Sequence, residues 1–184
     1  MDDNTSMDDN TIMDDNTIMD YRDIGWTDCP AGSEGELMLF SLDRVHRQFA
    51  WKTGGLTAEQ LHQQHPPSEL TLAWLIRHLI GVETDWTARA EGCPEGRAAD
   101  VDWDTVTRRP VELYALWYRT IARTRQSWAR LIDEGLDITV TWDGDYVVNR
   151  RRALTDILEE NLLHTGQASI VREAIDGLVG NDPP

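Results

Sequence analysis

Glu160 and His164 stand four residues apart in the segment Glu160-Asn-Leu-Leu-His164, and residues at that spacing share one face of a helix. A carboxylate and an imidazole on one face can both bind one divalent metal ion. Such a pair is a weak signal alone, because glutamate and histidine fall four apart by chance and a surface hydrogen bond is its commonest explanation. His78 adds a third donor in the middle of the most apolar stretch, Leu70 to Val82. A lone histidine on an apolar face is more often a hydrogen-bonded core residue than a ligand. Two buried polar groups on another helix would also need partners, however, and one metal would satisfy all three. Two neutral imidazoles and one carboxylate leave zinc with net positive charge and at least one open position. Nickel, iron and manganese bind the same donors. A small thiol entering the open position would have its pKa lowered and be held as the thiolate, which suits thiol transfer or thiol-assisted isomerisation.

Four long helices are predicted around these residues. The first spans about Glu36 to Lys52, with Leu37, Phe40, Val45, Phe49 and Trp51 on its apolar face. Gly54 and Gly55 end it, and a short turn capped by Thr57 closes at Pro66 and Pro67. The second starts near Ser68 as N-cap, turns Leu72, Leu75, Leu79, Val82 and Trp86 inward, and ends near Gly92. A loop through Asp104 follows. Pro110 suits the first turn of the third helix, whose stripe is Leu113, Leu116, Trp117, Ile121, Trp128 and Leu131. Between Asp137 and Val148 the period shortens to two, and Asp143-Gly144 has the composition of a tight turn, so a two-stranded ribbon is expected. The fourth helix runs from about Arg151 to Asp176, with Leu154, Ile157, Leu158, Leu162, Ile170, Val171 and Ile175 on or near its inner face and Gly177 as its stop. The fold class is therefore all-α, a four-helix bundle with a small β-ribbon between helices three and four.

Leu75-Ile-Arg-His78-Leu-Ile-Gly-Val-Glu83-Thr-Asp-Trp86 and Glu159-Glu160-Asn-Leu-Leu-His164-Thr-Gly-Gln167 resemble the helix-two and final-helix signatures of the DinB-like superfamily. Ile170-Val-Arg172-Glu173-Ala-Ile-Asp176-Gly177 is similar to its actinobacterial members. Many of that superfamily use three histidines; Glu160 departs from that pattern, as does the mycothiol-dependent maleylpyruvate isomerase branch, in which two histidines and one glutamate hold zinc. The resemblance, over about Gly35 to Gly177, implies His78, Glu160 and His164 as ligands and mycothiol as the thiol cosubstrate, in an isomerase or mycothiol S-transferase. Gln167 stands where related sequences often carry another histidine.

Other residues carry two readings each. Arg172, two turns beyond His164, can reach an anionic group of a substrate or pair with Glu173 or Asp176 on its own helix. Glu83 can orient a metal ligand from behind, and helix capping or solvent exposure explains it equally. Arg150 to Arg152, at a helix start where positive charge opposes the dipole, either pairs with nearby acids or meets an anionic substrate. Trp142 is the tryptophan expected to line a cleft.

Composition narrows the classes. The 184 residues, 40% hydrophobic and 27% charged, suit one folded domain, and a net charge of −16 disfavours nucleic acid as a partner. Residues 1–23 carry the tandem repeat MDDNTS, MDDNTI, MDDNTI and are expected to be a disordered acidic tail ahead of a domain over 24–184, whose folded part begins between Asp23 and Gly35. Cys29 and Cys93 show no CxxC spacing, the N-terminus lacks a secretory signal, and Arg77 and His78 interrupt the most apolar stretch. A cytoplasmic protein without a membrane span is expected. Its partners are then a small thiol and a small electrophile, and a homodimer is compatible with the fold. The alternatives are a stress-related metal- or ligand-binding protein of the same fold without turnover, and a bundle whose histidines are structural.

Overall fold

The structure is a computed structural model and describes residues 20–26, 28–93 and 101–183. Most of the expected acidic tail and the Pro94–Gly96 part of the expected loop lie outside the described residues. Four long helices make the bundle: α1 (Glu34–Thr53), α3 (Leu72–Ala90), α5 (Pro110–Glu134) and α6 (Arg150–Asp176). Two single-turn helices, α2 (Ala58–Leu61) and α4 (Trp103–Val106), lie in the connections. Strands β1 (Thr139–Asp143) and β2 (Tyr146–Asn149) pair antiparallel ahead of α6. The α3 helix packs on both α5 and α6, and α1 packs chiefly on α6. No described helix is long and apolar enough to cross a membrane.

Local chemistry sets the helix ends. Ser33 caps α1 reciprocally with Glu36, and Thr57 does the same with Gln60 at α2, each satisfying two backbone donors that the first turn leaves open. Pro110 begins α5 without needing a backbone N–H. Gly177 ends α6 with φ +78°, a left-handed conformation that a side chain would strain. The ribbon turns at Gly144, φ +52°, and its register shifts between Thr141 and Asp143. Trp142 is thus the extra residue of a bulge.

The α3 helix starts later than predicted. Thr71, not Ser68, is its N-cap and accepts from the Trp74 N–H, while the Ser68 hydroxyl accepts from the Leu70 N–H in the preceding turn. Either residue can cap; burial of Leu72 and Ala73 decides where the helix begins. The segment predicted as loop through Asp104 runs into the start of α4, capped by Asp102. Packing also begins before Asp23, since Asp20 caps a 3-10 turn over Tyr21–Asp23, and Tyr21 and Ile24 join the core.

That core has two parts. Phe49, Leu75, Leu79, Trp117 and Ile121 centre one, and Leu42, Val45, Trp128, Leu154 and Ile157 centre the other. Leu37 is exposed rather than inward, as are Leu162 and Ile170, of which Ile170 is 72% exposed. On α6 the inner positions go instead to Asn161, His164, Thr165 and Arg172. Polar residues thus occupy core positions along the middle of this helix.

Candidate metal centre

Packing of α3 against α6 brings His78 to the side chains of Glu160 and His164 on adjacent turns of α6. His78 Nε2 lies 3.0 Å from Glu160 Oε2, and His164 Nε2 lies 3.2 Å from the same oxygen. One ligand atom from each residue falls within 4.8 Å of the other two. The imidazoles meet edge to face, with centroids 4.6 Å apart. Trp74, one turn before His78, stacks flat on its ring at 5.0 Å and 3°. The site is open on one side: the His78 and Glu160 side chains are 33% and 30% exposed, against 9% for His164.

Gln167, one turn beyond His164, completes the arrangement. Its Oε1 accepts from His164 Nδ1 at 2.7 Å. An amide oxygen only accepts, so Nδ1 carries the proton. A neutral His164 then turns the lone pair of Nε2 onto a carboxylate oxygen. A cation between the two stabilises that arrangement, which otherwise requires an imidazolium.

Glu83 lies in the interior, wholly buried, so neither solvent exposure nor capping accounts for it. Its Oε1 accepts from His46 Nε2 at 2.7 Å and Asn161 Nδ2 at 2.9 Å, and its Oε2 accepts from Thr124 Oγ1 at 2.8 Å. Burial alone would raise its pKa, but the charge of His46 and the hydrogen bonds from His46, Thr124 and Asn161 outweigh it and hold the carboxyl below its ordinary value. None of its hydrogen bonds reaches His78, Glu160 or His164; it touches the centre's frame only through Asn161, the residue after Glu160. Arg172 is also engaged internally. Its guanidinium holds Asp176 at 2.9–3.0 Å and donates to the carbonyls of Lys52 and Gly54 at the end of α1. The basic turn behaves likewise: Arg150 pairs with Glu134, Arg151 with Glu34 and Asp137, and Arg152 with Asp156.

A cleft of about 450 Å³ opens beside His78, walled by Trp74, Trp86 and Trp103, with Arg77 and Asp85 among its polar groups. Trp142 does not line it. Its ring packs edge-on behind Trp86 at 5.7 Å, under the Arg89 guanidinium, which also donates to the Trp142 carbonyl. His46, Asn161 and the cleft residues Trp74, Arg77 and Trp103 were not singled out from sequence. For the cleft the available signal was helical spacing, since Trp74, Arg77 and Asp85 share the face that carries His78.

A family model for mycothiol-S-transferase matches residues 38–177, a span that holds all three donors. The chain belongs to the mycothiol-S-transferase family. Comparison with curated proteins gives no match. Membership agrees with the DinB-like, mycothiol-related resemblance of the helix-two and final-helix segments, and assigns the chain to thiol transfer in general.

Proposed function

We propose that the protein is a divalent-metal-dependent mycothiol S-transferase, with His78, Glu160 and His164 holding the ion, zinc by preference, in the cytoplasm. The observation that carries this reading is the meeting of two imidazole nitrogens on one carboxylate oxygen, at 3.0 and 3.2 Å, in a chain of this family. Ligand bonds of about 2.0–2.1 Å in a tetrahedral site separate neighbouring donor atoms by about 3.3 Å. Each imidazole nitrogen already stands near that spacing from the carboxylate oxygen, all three donor atoms lie within 4.8 Å of one another, and borderline nitrogen and oxygen ligands suit zinc. When bound, the ion supplies positive charge that lowers the pKa of a thiol at its open position. The chain does the positioning. Gln167 fixes the His164 tautomer, Trp74 holds the His78 ring, and the exposed side of Glu160 leaves an approach for the thiol and a small electrophile.

The test is elemental analysis of protein purified without a histidine tag, with turnover of mycothiol and a haloalkyl probe measured beside it. About one divalent ion per chain is expected in the wild type. His78→Ala and Glu160→Ala should lose both ion and turnover. Turnover that survives complete chelation would overturn the metal mechanism. Saturable binding without turnover, across a panel of thiols and electrophiles, would make the protein a binding member of its family.

A further inference from the structure

We propose that the cleft on α3 beside His78 seats the sugar portion of the thiol, leaving the electrophile to approach from outside it. This rests on mycothiol being the thiol substrate. Mycothiol is an N-acetylcysteine joined to a glucosamine and an inositol ring, so nearly all its bulk is polyol. A site that brings its sulfur to His78, Glu160 and His164 must house two hydroxyl-bearing six-membered rings nearby. The cleft is about 450 Å³, within the usual range for a small-ligand site.

Its walls have the matching chemistry. Trp74, Trp86 and Trp103 offer indole faces against which the C–H faces of such rings can lie. Asp85 lines the same cleft and, among the described residues, has no hydrogen bond or ion pair; Arg77 has only the Trp103 ring, 5.2 Å from its guanidinium. A carboxylate that accepts and a guanidinium that donates, neither neutralised by the other, suit a ligand rich in hydroxyls, which do both. An apolar electrophile in this place would strip water from Asp85 and return no donor.

Gly81 forms part of the lining, one turn from both His78 and Asp85. A Cβ built there meets nothing within 4 Å, so close packing does not require glycine. Mid-helix glycine costs about 1 kcal/mol relative to alanine. The open space it leaves is the part of the cleft that a longer side chain would fill.

The experiment compares mycothiol with N-acetylcysteine, the same thiol without the sugar, in wild type, Gly81→Leu and Asp85→Asn. The leucine removes a helix-weakening residue and points into open space, so the variant should fold; metal content checks that the donors are undisturbed. KM for mycothiol is expected to rise about tenfold relative to KM for N-acetylcysteine in Gly81→Leu, and by less in Asp85→Asn. A second readout needs neither metal nor turnover. Glucosaminyl-inositol lacking the cysteine should change the indole fluorescence of metal-free wild type saturably, and its affinity should fall in Gly81→Leu. An unchanged ratio of the two thiol KM values, or sugar binding that Gly81→Leu does not weaken, would overturn the proposal. A rise in KM for the electrophile alone would also overturn it and give the cleft to the electrophile. Sugar binding that Gly81→Leu weakens, in a protein without turnover, would uphold the cleft and refute the catalytic reading.

Discussion

Glu83 and Glu160 both meet imidazole nitrogens between helices, yet their surroundings are opposite. Glu83 is sealed in the interior, and three side-chain donors from three other helices fill both of its oxygens. Glu160 is 30% exposed, and one of its oxygens is shared by two histidines while α3 opens a cleft alongside. The first arrangement is saturated and leaves an ion nothing to bind. The second crowds nitrogen donors on one oxygen and leaves an open side, as an exchangeable metal site needs. Residue type alone therefore does not separate a structural carboxylate from a ligand; the supply of hydrogen-bond donors and the access of solvent do.

The strongest way to break this contrast is at the sealed carboxylate. Glu83→Ala leaves His46, Thr124 and Asn161 buried without their acceptor and is expected to cost about 3–5 kcal/mol in urea unfolding. Because that variant can fail to fold, Glu83→Gln with its acid limb of stability is the companion measurement. Glu83 is held below its ordinary value of 4.5 when folded. It therefore binds more protons unfolded than folded, and its contribution is fully present above 4.5 and is lost as pH falls through the lower folded value. Glu83→Gln should flatten that acid limb; an unchanged limb would mean that the ionised pair does not support the fold.

The same operation at the open carboxylate should give the reverse pattern. His78→Ala or Glu160→Gln is expected to weaken metal binding by at least about 100-fold, while the metal-free protein loses less than about 1 kcal/mol, because both side chains are about a third exposed. A loss in the metal-free protein as large as that for Glu83→Ala would class the centre with the structural network.

The sequence made the bundle legible where local rules decide. The stripes of α3 and α5, Pro110 at a helix start, Gly177 at a helix end and the Asp143-Gly144 turn all depend on neighbours within a few residues. The nearness of His78 to Glu160 and His164 was legible because helical spacing aligns the α6 pair and an apolar stretch drew attention to the third residue. What escaped depended on partners far along the chain. His46 and Glu83 are 37 residues apart and Glu83 and Asn161 are 78 apart, so periodicity placed Leu162 and Ile170 inward when Asn161, His164 and Arg172 fill those positions. A polar residue goes inside when another helix supplies its hydrogen bonds, and a one-dimensional stripe does not reveal that supply.

Arg172 sharpens the comparison from the structural side. It joins α6 to the end of α1 through the Lys52 and Gly54 carbonyls, and Asp176 on its own helix holds the guanidinium in place. Arg172→Ala is expected to cost about 1.5–3 kcal/mol of stability, the range for hydrogen bonds to a charged group, with metal affinity and KM unchanged. A raised KM at unchanged stability would instead restore its reading as a substrate contact.

The smallest expected effect lies at the boundary between the two regions, where Gln167 holds a metal donor without being one. Its only described role is to accept from His164 Nδ1 at 2.7 Å, fixing the proton there and aiming Nε2 at Glu160. Gln167→Leu removes that hold without unpacking the core, because the side chain is only partly buried. Metal affinity should fall about tenfold, with folding stability within about 0.5 kcal/mol of wild type. Gln167→Glu keeps the acceptor and adds charge, which makes the imidazole a better donor, so affinity should rise above wild type. The order Leu, Gln, Glu in metal affinity, read by competition with a chelator, requires His164 to act through Nε2 as a ligand. Equal affinities in all three would mean that the His164 and Gln167 contact belongs with the saturated hydrogen bonds of the interior.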